Sequence, residues 1–179
     1  MKKSLFYFAA TGWALSLTIH LSTIADDNAA SKMPFAWLLH LGVFIVWIPA
    51  VIISAKNEKL KTVRQLSIEK QLNPAVAFKI FFQQTPRWLA IIVVAGVFYA
   101  ILNFIFFMAT SPIGIADIKD GQFVLHNHGK LIKTLTAQEY NQYHTNELRM
   151  FSGHWLAFYG IAAAILFPFY KQKNQEHLP

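Results

Sequence analysis

The chain has no cysteine. That absence excludes disulfides, thiolate metal sites, iron–sulfur clusters and covalently attached c-type haem. It also excludes prenylation and palmitoylation, which need a thiol. Charge is scarce as well. Only 14% of the 179 residues are Asp, Glu, Lys or Arg, where a soluble domain carries about a quarter. There is no Walker sequence, no G-x-G-x-x-G after a strand, no G-x-S-x-G and no H-E-x-x-H, so the common phosphate, dinucleotide, serine-hydrolase and zinc-protease signatures are missing. No internal repeat or low-complexity tract is visible.

The shortage of charge is local. Four stretches have none: Leu5 to Ile24, Pro34 to Ala55, Trp88 to Ala109 and Gly153 to Tyr170. A helix crossing roughly 30 Å of hydrocarbon needs about 20 such residues. Lipid gives an irregular backbone nothing to bond, so each span is expected to be helical. The expected fold is therefore an all-α membrane protein. It is a single four-transmembrane-helix bundle over residues 1–179, with a small outer β-hairpin and a cytoplasmic interfacial helix.

Lys and Arg divide unevenly between the ends of these spans. One side holds Lys2, Lys3, Lys56, Lys59, Lys61, Arg64, Lys70, Lys79, Arg87, Lys171 and Lys173. The other holds only Lys32, Lys119, Lys130, Lys133 and Arg149. The positive-inside rule makes the richer side cytoplasmic. It puts both termini there, residues 110–152 outside, and the protein in the cell membrane, the inner membrane if bacterial. The formal charge of +7 is then read as span anchoring and not as nucleic-acid binding. The first span is longer than a signal-peptide core and is followed by Thr23-Ile24-Ala25, a poor cleavage site, so it is expected to be retained.

In the cytoplasmic loop, residues 56–72 read as a polar surface helix. Asn73-Pro74 restarts the chain into an interfacial helix from Ala75 to Gln84, which Thr85-Pro86 ends. Outside, Gln122 to His126 and Lys130 to Thr134 flank Asn127-His128-Gly129, where glycine suits a tight hairpin. That hairpin is expected to lie over the bundle mouth. Thr136-Ala137-Gln138-Glu139 is a capping box, so the last helix is expected to start near Ala137 and run about 30 residues. Small-residue pairs (Ala10 and Ala14, Gly96 and Ala100, Gly160 and Ala164) suit close helix approach. Pro49 and Pro168 are expected to kink their helices.

Histidine is the notable presence. His20 is expected about 6 Å inside the outer end of span one, His40 about 9 Å inside span two, Asn103 about 10 Å inside span three, and His154 at the outer mouth of span four. Polar residues at such depth point by default to a site facing the bundle interior. His20, His40 and His154, with Glu147 two turns before His154 on the last helix and His144 three residues before Glu147, form a candidate metal set. Haem b or a divalent metal is the cofactor class such residues take. The leading expectation is nevertheless a non-catalytic accessory, assembly or scaffold protein. Its partners would be the lipid bilayer and a larger membrane complex or further copies of itself, and its polar residues would bond across helices. A haem- or metal-binding redox protein is the alternative, and a small oligomeric transporter or channel the second.

Overall fold

A computed structural model describes residues 2–56, 82 and 85–169. The two helices expected in the cytoplasmic loop, and the tail with His177, lie outside the described residues except for Lys56 and Phe82.

The described chain is mostly helical. Helix α1 (Lys2–Ala25) is followed by a short turn of helix, α2 (Ala29–Lys32), and a 3₁₀ turn (Pro34–Trp37) that leads into α3 (Leu38–Ala55). Helix α4 (Arg87–Thr110) opens after Pro86. Strands β1 (Ile115–Lys119), β2 (Gln122–Asn127) and β3 (Lys130–Thr134) come next, then α5 (Ala137–Leu166). Three stretches are long and apolar enough to cross a membrane: Lys2–Ala25, Pro34–Ala55 and Arg87–Thr110.

Helix α5 is the axis of the molecule. It packs on α1, α3 and α4, while α3 and α4 have no substantial contact of their own. Its second half buries Gly153, Ala157, Gly160, Ala162, Ala163 and Ala164 along with Trp155, Leu156, Tyr159 and Leu166. Small residues let three neighbours approach one backbone. Helix α5 is less apolar than the helices around it because its first half, Ala137 to Arg149, is polar.

The contacts also set direction. Phe6 near the start of α1 packs edge-on against Phe167 and Phe169. Thr85, just before α4, donates its hydroxyl to the Ala164 carbonyl at 2.9 Å. Helices α1 and α4 therefore run antiparallel to α5. Helix α3 runs parallel to it, with His40 beside Trp155 and Trp47 bonding to the Phe158 carbonyl.

The capping box is as expected: Thr136 accepts from the Glu139 N–H, and Glu139 accepts from the Thr136 N–H. The helix it opens is 30 residues long, about 45 Å. Pro168 does not kink this helix. Helical geometry ends at Leu166 and Phe167 is already extended, because the residue before proline is pushed out of the α region.

The outer hairpin is the second half of a three-stranded antiparallel sheet in the order β1-β2-β3. Both connections are two-residue turns with positive φ at each position: Asp120 (51°) and Gly121 (76°), then His128 (48°) and Gly129 (80°). That is the type I′ pattern, whose twist matches the strands. A bulge falls between Leu125 and His126. Ala116, Leu125 and Leu135 form a small core with Phe123, Tyr140 and Tyr143, fastening the sheet to the outer end of α5.

Candidate functional site

The bundle interior begins with the face of α1 that carries Ala9, Gly12, Ser16, His20 and Thr23, all buried. These positions recur every three or four residues, so they line one stripe of the helix. This stripe, and not Ala10 with Ala14, is the close-packing face. The hydroxyls of Ser16 and Thr23 bond back to the Gly12 and His20 carbonyls at 2.7 Å each. A hydroxyl can be buried in an apolar helix on those terms.

Tyr159 on α5 occupies the space that Gly12 and Gly42 leave open. A side chain at either glycine would run into its ring or hydroxyl. The Tyr159 hydroxyl donates to the Leu39 carbonyl at 2.8 Å, using the second lone pair of a carbonyl in the first turn of α3.

His20 lies at the meeting of α1, α4 and α5. Its Nε2 is 2.5 Å from the Tyr99 hydroxyl and its Nδ1 is 2.9 Å from Ser152 Oγ. Ser152 in turn donates to the Arg149 carbonyl at 3.1 Å. These bonds fit one proton arrangement. Ser152 has given its only proton to Arg149, so it accepts from His20 Nδ1–H. His20 Nε2 then carries the lone pair, and Tyr99 donates to it. His20 is thus a neutral link in a chain of donors, with no free lone pair for a metal.

The same layer holds two further polar anchors. Asn103 of α4 donates its amide to the Arg149 and Met150 carbonyls at 3.2 and 3.3 Å, across the gap left at Gly153. Arg149 reaches the Thr23 carbonyl at the end of α1. Above it, the Ala30 N–H donates to the buried Thr145 hydroxyl at 3.2 Å.

His40 and His154 are placed differently. Both line a groove of about 690 Å³ over α5, between α3 and α4, walled by Phe44, Trp47, Phe104, Phe151, Trp155 and Phe158 among others. The wall is almost entirely carbon. Trp155 Nε1 donates to His40 Nδ1 at 3.1 Å, and His154 Nδ1 donates to the Met150 carbonyl at 2.8 Å. Neutral His40 therefore keeps its proton on Nε2, while His154 keeps a lone pair there.

The remaining candidates lie outside the apolar layer. His144 Nδ1 is 2.9 Å from Glu147 on the same helix, and its Nε2 is buried without a hydrogen bond. Beside it, burial pushes the Tyr143 phenol up from its ordinary value, and that hydroxyl donates to the Gly114 carbonyl at 2.5 Å. His126 on β2 buries both ring nitrogens without a hydrogen bond, 3.6 Å from Asp117. His128 belongs to the turn and not to the strand, which ends at Asn127.

The five proposed ligands thus fall in three places: His20 in the interior, His40 and His154 at the groove, and His144 with Glu147 above. Among the described residues no three His, Asp or Glu side chains come together as a metal-binding group. Sequence reasoning missed Tyr99, Ser152, Trp155 and Tyr159, the partners that occupy these polar atoms. Gly12 and Gly42 were the available signal for Tyr159, since a glycine within an apolar helix makes room for something large.

Fold and site together define a class: a helical protein with three membrane-length helices, a small sheet, and an inner layer of interhelical hydrogen bonds. Compared with family models, curated proteins and solved structures, the chain matches none.

Proposed function

We propose that this chain is a four-span, non-catalytic protein of a cell membrane, the inner membrane in a bacterium, serving as an accessory, assembly or scaffold component of a larger membrane complex. The observation that carries this reading is the use made of the buried polar side chains. Both nitrogens of His20, the amide of Asn103 and the hydroxyls of Ser152 and Tyr159 are spent on other groups of the same chain. Such bonds contribute about 0.6 to 2 kcal/mol each between membrane helices, and they commit these four side chains to holding the helices together.

Helix α5 is the fourth span in this reading. It packs lengthwise on the three membrane-length helices and is uncharged from Phe151 to its end at Leu166. The starts of α1 and α4 lie level with its end, so Lys2, Lys3 and Arg87 gather at one end of the bundle. With Lys56 at the end of α3, they support a cytoplasmic assignment of that end, with both termini on the same side in this reading.

Purification in mild detergent, with chemical crosslinking and mass spectrometry, tests the role. A larger membrane protein crosslinked in near-stoichiometric amount is the expected result. A lone species carrying a stoichiometric cofactor would overturn it.

One observation favours a second reading, a haem- or metal-binding protein: His40 and His154 line the same groove. The fit is poor for a haem held by two imidazoles. Such a haem needs a lone pair from each ring, and the Trp155 bond leaves His40 Nε2 protonated. His154 alone offers one. A Soret band that disappears in His154→Ala would favour this second reading.

A further inference from the structure

We propose that the membrane-proximal end of the outer sheet, carrying Ile113, Ile115 and Leu131, is seated in the headgroup region of the outer leaflet. The inference rests on the membrane-spanning reading of α4. That helix ends at Thr110, and its exposed residues near that end include Phe106 and Met108. The exposed apolar surface resumes at once with Ile113, 79% exposed, and Ile115, 60% exposed. The face that meets lipid along α4 therefore continues into the sheet.

Register brings the third residue to the same place. Ile115 pairs with His126, and His126 pairs with Leu131, so Ile115 and Leu131 flank one position at the end of the sheet nearest α4. Leu131 is 58% exposed. The His128-Gly129 turn and Lys130 adjoin them. The opposite end carries Asp117, Lys119 and the Asp120-Gly121 turn. The sheet is thus apolar with a basic rim where it leaves the span and charged about 13 Å further out at strand rise. Apolar side chains backed by lysine are the composition of a headgroup contact. The orientation is held from behind, because Ala116 and Leu125 on the other face are buried against Leu135, Tyr140 and Tyr143.

A chain without cysteine takes a nitroxide label at one chosen site. Ile113→Cys, Leu131→Cys, Asp120→Cys and Ile101→Cys, each labelled and reconstituted in phosphatidylcholine–phosphatidylglycerol vesicles, can be compared by collision with oxygen and with a water-soluble nickel chelate. All four positions are exposed, so the substitutions remove no core packing; Asp120 alone lies at positive φ, where Cys costs the turn some stability. Labels at 113 and 131 are expected to favour oxygen several-fold over the label at 120, and less strongly than the label at 101. Nickel access at 113 and 131 equal to that at 120 overturns the inference while leaving the span at 101 intact. Nickel access at 101 as well overturns the membrane reading and the inference together. Protection from both reagents with dipolar broadening between copies assigns the face to a second copy of the chain, and also overturns it.

Discussion

Tyr159 is the residue on which three helices close. Its ring fills the notch at Gly12 and its hydroxyl bonds across to α3 beside Gly42. Gly12→Val forces a branched side chain into an occupied volume, and overpacking of that kind costs about 1–3 kcal/mol. Tyr159→Phe keeps the ring and removes one interhelical hydrogen bond, at about 1 kcal/mol. Unfolding titrations in mixed micelles should rank Gly12→Val as the more damaging. His20 gives a further test. His20→Ala opens a cavity and strips Tyr99 of its acceptor and Ser152 of its donor, so it should destabilise more than Tyr99→Phe, which removes one partner only. Equal effects in the same titration would mean that the chain of donors does not exist. The sequence marked His20 and Asn103 because polar atoms are rare in apolar helices. It was silent on Tyr99, Ser152 and Tyr159, because aromatic and small hydroxyl residues are ordinary there and only packing reveals which of them reach a partner.

At the scale of elements, the start of α5 and the turns of the sheet were written in local chemistry, and one was overlooked. The capping box needs only a threonine and a glutamate three apart, so the helix start was legible. Thr136→Ala should cost about 1 kcal/mol, read from the unfolding transition. The Glu139 carboxyl is held down to about 2, against an ordinary 4.5, chiefly by its hydrogen bond from Lys133 and then by the Thr136 N–H. A carboxyl depressed by folding stabilises fully above its unfolded value. That contribution is lost as pH falls from about 4.5 toward 2. The Thr136 amide proton resonance should titrate with a midpoint near 2, and Glu139→Gln should abolish the titration. Strand β1 was missed although Asp120-Gly121 is among the strongest two-residue hairpin signals. The alternating apolar pattern beside it is short. Gly121, at φ 76° with open space around it, tolerates a side chain sterically but not conformationally. Gly121→Val should destabilise the sheet by about 1 kcal/mol or more, seen as faster amide exchange in β1 and β2.

For the whole molecule, three membrane-length helices were legible as uncharged runs, since lipid demands apolar side chains all round. Helix α5 was legible by length and cap but resembles the others less, because its first half, Ala137 to Arg149, is polar. The proposed four-span arrangement makes a plain prediction for single cysteines in this cysteine-free chain. A membrane-impermeant maleimide should label Asp120→Cys in intact cells, and Lys56→Cys and Gln175→Cys only after permeabilisation. Labelling of Gln175→Cys in intact cells would remove α5 from the membrane. One feature of the architecture reaches into biosynthesis. The helix against which α1, α3 and α4 all pack is the last of them to leave the ribosome. Until it is made, Gly12 and Gly42 face an empty notch, His20 lacks Ser152, and chiefly the packing of α1 on α3 holds the earlier helices together. On the proposed membrane reading, a chain cut short before Ala137 should therefore be degraded faster than the full chain, as a pulse-chase would show.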